Sequence, residues 1–131
     1  MKGNTRIILT IAGIFAVILL VAILRMTTFV STEFATEVTL NGNIKVHDEA
    51  DIATLKMLLK GMSYQDSPSC GFSLTPSVTF TDGEKTVTLY IAHDSCDIAQ
   101  VGETDRYVTI VDREALDAVF AKYGITLPYL T

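Results

Sequence analysis

The 131-residue sequence contains no tryptophan, three prolines and only two cysteines. Two cysteines cannot form the dense disulfide framework of a small secreted mini-protein. With 49% hydrophobic and 19% charged residues, the composition also excludes an intrinsically disordered chain. The length limits the chain to one domain plus an appendage, because domains typically have about 100–200 residues. None of these features specifies a chemistry.

The longest apolar run covers residues 7–24, which are 18 uncharged residues. As a helix it spans about 27 Å, close to the roughly 30 Å hydrocarbon thickness of a bilayer. A cleaved signal peptide has an apolar region of about 7–15 residues and a small-x-small cleavage site. Here the run is longer, Arg25 follows it directly, and neither such a site nor a lipid-accepting cysteine comes next. The sequence therefore predicts an uncleaved transmembrane helix over 7–26, followed by a tether or lead-in strand over 27–37.

The charges that flank this run predict its orientation. Lys2 and Arg6 precede it and Arg25 follows it, so positive charge favours the N-terminal side. Because positive residues prefer the cytoplasm, we expect residues 1–6 inside the cell and a domain over 38–131 outside. The predicted location is the cell membrane, crossed once.

The predicted outer domain is strongly acidic. Beyond the helix the chain has seven basic and 15 acidic residues, a net charge of −8. Such a surface is repelled by nucleic acid and by anionic lipid headgroups. The sequence therefore predicts no nucleic-acid partner, and favours a cationic protein or cell-envelope partner or a divalent cation. Solubility alone is the simpler explanation of this charge.

Local patterns predict a hairpin, then a helix. Residues 38–40 and 44–46 flank Asn41-Gly42, a dipeptide favoured in hairpin turns. A helix is expected over 48–60, because Asp48 can cap it and apolar residues recur at helical spacing. Gly61 is expected to end it.

The clearest strand signal lies in residues 72–80, where apolar and polar residues alternate. Asp82-Gly83 is a turn signal, so 72–81 and 84–91 predict a central hairpin in which Thr81 pairs with Glu84. Pro76 cannot donate to a ladder, which predicts an edge strand or a bulge there.

Two further elements complete the predicted fold. Residues 98–101 and 106–111 suit a short hairpin around Gly102. A last helix over 113–123 is expected, capped by Asp112 and ended by Gly124. The predicted fold class is α+β: an N-terminal transmembrane helix followed by a small antiparallel sheet with helices packed on one face.

The two cysteines flank the predicted central hairpin. Cys70 precedes its first strand and Cys96 follows its second, so the hairpin brings the thiols close together. Outside the cell this predicts a Cys70–Cys96 disulfide. The spacing is unlike the Cys-x-x-Cys pair of redox enzymes, although a redox-active pair is the alternative.

Acidic residues follow the hairpin and form a candidate ligand or cation loop: Asp94, Asp97, Glu103 and Asp105. Their spacing does not match an EF-hand, so no metal site and no cofactor are predicted. His93 faces Phe72 in the expected register and is interpreted as a histidine at the edge of the core. Ser95 beside it offers a nucleophile, but no catalytic motif surrounds it, and we predict that the protein is not an enzyme.

Four segments carry a resemblance to a known class of proteins: Cys70–Phe72, Asp94–Ile98, Tyr107–Ile110 and Leu116–Gly124. Over roughly residues 70–124 the chain resembles small, uncharacterised membrane-anchored or lipoprotein-type extracytoplasmic proteins of Gram-positive bacteria. The resemblance implies a location and a fold rather than an activity. The chain departs from the lipoprotein members in having a full apolar helix and no lipid-bearing cysteine.

Together these patterns predict a non-catalytic extracytoplasmic binding or interaction module, held at the membrane by one helix and closed by one disulfide. Two alternatives remain open at this point. One is a small metal-assisted hydrolase that uses His93, Asp94 and Asp97. The other is an inhibitor or immunity-type protein against a basic enzyme. The acidic loop and a free edge at strand 72–81 are the expected docking places.

Overall fold

A computed structural model describes residues 2–26, 28–94 and 96–127. Helix α1 (Lys2–Met26) is apolar, with a mean hydropathy of 2.5 over Gly3–Ala22. It is long and apolar enough to cross a bilayer, which confirms the coarser part of the membrane prediction. A signal sequence has the same properties, so the anchor and its orientation stay predictions.

The described residues that follow α1 form one antiparallel sheet and two helices. Its strands are β1 (Thr28–Val30), β2 (Glu37–Leu40), β3 (Ile44–Lys45), β4 (Gly61–Gln65), β5 (Ser77–Thr81), β6 (Thr86–Ile91), β7 (Ile98–Val101) and β8 (Arg106–Thr109). The helices are α2 (Glu49–Leu58) and α3 (Arg113–Lys122). The spatial order β1-β4-β8-β7-β6-β5-β2-β3 confirms the predicted α+β class.

One face of the sheet packs against both helices around a single core. Asp48 and Asp112 cap α2 and α3, as predicted. Fully buried side chains from strands and helices meet there, among them Phe80, Leu89, Leu55, Leu116 and Phe120. Gly61 does not end α2 as expected; the helix ends at Leu58, and Gly61 begins β4 with a φ of +146°.

The predicted tether is wrong, and the alternative of a lead-in strand is correct. Strand β1 pairs with β4, so that Phe29 lies opposite Met62. Ala35 and Thr32 are buried, and the Thr32 hydroxyl donates to the Lys56 carbonyl at 2.7 Å. The domain therefore begins at residue 28 rather than 38. Strand β4 was not predicted although Met62 and Tyr64 alternate with Ser63 and Gln65, because this alternation covers only five residues. Without β4 no partner for β1 was visible.

The central hairpin forms in a register two residues away from the predicted one. Thr81 pairs with Thr86 and Val78 with Leu89, because the loop holds four residues instead of two. The Asp82 carboxylate accepts hydrogen bonds from the backbone N–H groups of Lys85 (2.7 Å) and Glu84 (2.9 Å), which lower the pKa of Asp82. A shift of two residues preserves which side chains share a face. The predicted core face is therefore correct although the pairing is not.

The predicted free edge is also wrong. Strand β5 begins at Ser77, after Pro76, and lies between β6 and β2. Residues 72–76 leave the sheet altogether, so their alternation does not indicate a strand. Strand addition at 72–81 is excluded, because both sides of β5 are already paired.

An ion cluster joins α2 to α3 on the outside of the domain. Lys122 Nζ lies 2.7 Å from Asp51 and 3.1 Å from Asp48. The Tyr123 hydroxyl donates to Asp51 at 2.9 Å. The hydrogen bond from Lys122 and that from the Ala50 N–H lower the pKa of Asp48 below its ordinary 3.8.

This cluster predicts an acid-sensitive contribution to stability. A carboxyl whose pKa is lowered by folding stabilises the domain above its ordinary pKa, and the contribution disappears as the pH falls through the lowered value. Asp48→Asn keeps the helix cap but removes the charge. We expect a lower Tm than wild type at pH 7, and a difference that becomes smaller as the pH falls through the lowered pKa of Asp48 and the wild-type carboxyl is protonated. A difference that stays the same as the pH falls would contradict this.

Candidate functional site

The sheet face opposite the helices carries a row of aromatic and polar side chains. Tyr64 pairs with Tyr107, Tyr107 with Gln100, Gln100 with Tyr90, and Tyr90 with Ser77. Residues paired across antiparallel strands point to the same side. The row therefore crosses five strands on the face that neither helix covers.

A disulfide-held segment, residues 70–76, crosses this open face. The predicted disulfide is present: Cys70 and Cys96 are bonded, with their Cα atoms 6.4 Å apart. The Gly71 carbonyl accepts from the His93 N–H at 2.8 Å, and the Pro76 carbonyl accepts from the Ile91 N–H at 2.9 Å. The segment is thus fastened near both ends. Between them the Phe72 ring packs on Tyr107, with ring centroids 5.4 Å apart.

The segment and the sheet enclose a groove, called here the aromatic groove. It has a volume of about 270 Å³ and is lined by Phe72, Ser73, Leu74, Tyr90, Gln100 and Glu103. Leu74 is 68% exposed and also borders a second groove on the side of β2 and β5. An exposed apolar side chain between two grooves is suited to contact a bound molecule.

The lining of the aromatic groove defines the chemistry that it can recognise. Aromatic faces attract cations, and Tyr90 and Phe72 supply such faces. The Glu103 carboxylate adds a negative charge at the rim, and Gln100 offers both a donor and an acceptor. The groove is therefore suited to a ligand that combines a cationic group with an apolar stem.

The acids of the predicted loop lie at different places in the structure. Asp97 and Glu103 flank the two ends of β7, whose four residues span about 13 Å. Glu103 borders the aromatic groove, whereas Asp105 accepts a hydrogen bond from the Gln65 side chain at 2.6 Å. A strand therefore lies between the acids of the predicted ligand or cation loop, and their binding of a ligand or cation stays a prediction.

Asp94 lies beside the disulfide instead. Its carboxylate and the sulfur atoms of Cys70 and Cys96 lie within 4.8 Å of one another. Metal binding requires thiolates, and these sulfur atoms are bonded to each other. Asp94 therefore does not share a metal site with them while the disulfide is closed.

His93 is half-buried, and the structure gives its ring a local partner. Its Nε2 lies 2.5 Å from the Ser73 hydroxyl, which also lies 2.8 Å from the Thr75 carbonyl. When the hydroxyl donates to this carbonyl, it accepts a hydrogen bond from the Nε2–H group of the imidazole. Neither Asp94 nor Asp97 hydrogen-bonds His93 within the described ranges, and Ser95 lies outside them.

The residues of the aromatic groove were largely missed by sequence reasoning. Tyr90 and Gln100 lie at the outward positions of two strands that were identified from their inward apolar residues. The alternation of apolar and polar residues in these strands could have identified them, since each residue that points into the core has neighbours that point outward. No sequence pattern could have predicted the position of Phe72, because it lies in a segment that leaves the sheet.

No family model, curated protein or solved structure matches the chain. The geometry of the described residues therefore carries the functional argument.

Proposed function

We propose that the chain is a single-pass membrane-anchored module whose domain lies outside the cell and binds a partner through the aromatic groove. The observation that carries this proposal is the sheet face left uncovered by the helices, with the groove formed on it by a disulfide-held segment. The apolar helix α1 supports the anchor. The disulfide supports an external location, since disulfides persist in oxidising compartments.

The proposed partner presents a cationic group, on a protein segment or on a cell-envelope component. The net charge of −8 after the helix attracts such a partner. Glu103, Tyr90 and Phe72 then provide a specific place for the charge. An inhibitor of a basic enzyme would use the same surface. The resemblance to anchored extracytoplasmic proteins agrees with the location.

A short oligolysine peptide tests the binding proposal. We expect it to bind the full-length protein in detergent micelles, and Glu103→Gln to weaken binding about two- to fivefold, as for an exposed ion pair. Tyr90→Ala is expected to weaken it by a similar or larger factor, because a cation–π contact is lost. Isothermal titration calorimetry measures both effects.

The matched control is Glu114→Gln, which removes the same charge from the exposed surface of α3. Equal weakening by Glu114→Gln and Glu103→Gln would show attraction by the whole acidic domain, and would contradict binding in the groove. Absence of binding would contradict the cationic partner.

Maleimide labelling of intact cells tests the location. With the disulfide outside, we expect the cysteines to react only after an impermeant reductant is added. Labelling that requires permeabilised cells would place the domain inside. A gel shift that corresponds to loss of the N-terminal helix would show a cleaved signal sequence instead of an anchor.

A further inference from the structure

Two large apolar side chains lie exposed at the edge of the sheet nearest to α1. Phe29 on β1 is 57% exposed and Met62 on β4 is 54% exposed, and the two residues are directly paired. Both lie on the open face, because their neighbours Val30 and Ser63 are buried on the core side. Tyr64, two residues after Met62, continues the same face. Phe29, Met62 and Tyr64 are called here the juxtamembrane patch.

Chain connection fixes the distance between this patch and the helix. Helix α1 ends at Met26 and β1 begins at Thr28. Three residues span at most about 11 Å between Cα atoms, so Phe29 lies within this distance of the helix end. The headgroup layer on each side of a bilayer is about 5–8 Å thick. If α1 crosses the membrane, β1 therefore lies at the membrane surface and cannot be held away from it.

The open face changes in polarity with distance from β1. Its far part carries hydroxyl pairs, with Thr79 3.2 Å from Thr88 and Thr81 3.0 Å from Thr86. The near part carries Phe29, Met62 and Tyr64, and aromatic residues are typical of membrane–water interfaces. Among the strands of this face, contact with lipid is thus most favourable along β1 and β4. The first strand residue of the aromatic groove, Gln100 on β7, lies about 14 Å away, three strand spacings from β1.

We propose that the juxtamembrane patch rests on the lipid interface and fixes the orientation of the domain on the outer surface of the membrane. The proposal rests on the membrane anchor of the proposed function. In this orientation the β1 edge of the sheet contacts the lipid. The aromatic groove then lies above the headgroups and is accessible from the side of the domain. A partner would reach the groove in a defined direction instead of meeting a freely tumbling domain.

A single introduced tryptophan tests this contact, because the natural chain has none. Full-length Met62→Trp is reconstituted in phosphatidylcholine vesicles whose acyl chains carry bromine, which quenches nearby tryptophan. Met62 is far from α1 along the chain and comes near it only because β4 pairs with β1. The depth of a tryptophan at position 62 in the bilayer therefore reports whether the folded domain docks on the lipid. We expect strong quenching for Met62→Trp and little for Leu74→Trp, which lies beside β6, about 14 Å across the sheet from β4. Adding Phe29→Ser to Met62→Trp is expected to reduce the quenching.

Each other outcome overturns the proposal in a distinguishable way. Flotation of the vesicles first measures anchoring. If the protein floats but the Met62→Trp variant is quenched no more than the Leu74→Trp variant, the anchor stands and the docking is wrong. Blue-shifted but unquenched emission from the Met62→Trp variant would show that a second copy of the chain covers the patch. Protein that does not float with the vesicles would overturn the anchor, and the docking with it.

Discussion

Replacing both cysteines, Cys70→Ser with Cys96→Ser, is expected to destabilise the domain by about 3 kcal/mol. The disulfide closes a loop with a sequence separation of 26 residues. In the chain-entropy model such a loop contributes roughly 3.5 kcal/mol, because it restricts the unfolded chain. For a domain of about 100 residues this lowers Tm by on the order of 15 °C. Thermal unfolding of the full-length protein, followed by circular dichroism, measures the shift.

Reductant provides the control for this prediction. Dithiothreitol should lower the Tm of wild type to nearly that of the double variant and leave the variant unchanged. The same reduction should also weaken oligolysine binding, since the disulfide holds the segment that forms one wall of the aromatic groove. An unchanged Tm in the double variant would contradict the contribution given to the disulfide through the unfolded chain.

Arg113→Met is expected to have a comparable effect, about 3 kcal/mol. The Arg113 side chain is only 8% exposed. Its guanidinium donates to the carbonyls of Cys96 (2.6 Å) and Ala92 (2.9 Å) and to the Asp117 carboxylate (3.0 Å). Methionine fills a similar volume but leaves two carbonyls and a carboxylate without these donors. Urea unfolding at pH 7 measures the loss.

Lys60→Met is the matched control for Arg113. Lys60 is 41% exposed and lies 3.6 Å from Glu33, so its ion pair is solvated. Removing it is expected to change stability by less than about 1 kcal/mol. Similar losses in the two variants would contradict the role given to Arg113. Because Arg113 binds the segment that carries Cys96, its loss should also make the disulfide easier to reduce.

Most of the secondary structure could be predicted from sequence, for local reasons. The helix caps at Asp48 and Asp112 depend on a side chain and the backbone next to it. The turn at Asn41-Gly42 depends on two residues that adopt positive φ. The long apolar run that became α1 needs no tertiary information. In each case the residues that cause the helix cap, the turn or the helix lie within or next to the element that they form.

Elements whose local pattern is very short or misleading could not be predicted. Strands β1 and β4 have three and five residues, and such short segments become strands when a partner satisfies their backbone groups. The register of β5 and β6 was wrong by two residues, since it depends on the capping of a four-residue loop by Asp82. The alternation of residues 72–76 indicated a strand, yet this segment lies across the sheet.

The sequence by itself determined the apolar helix, the α+β class, the acidic charge and the disulfide pair. These follow from composition, periodicity and short-range geometry. Only the tertiary structure decided which residues share a surface. It separated the acids at the two ends of β7, brought Phe72 onto Tyr107, and placed Phe29 beside Met62. The reason is that a surface depends on pairing between distant strands, and no local pattern encodes the order of those strands in the sheet.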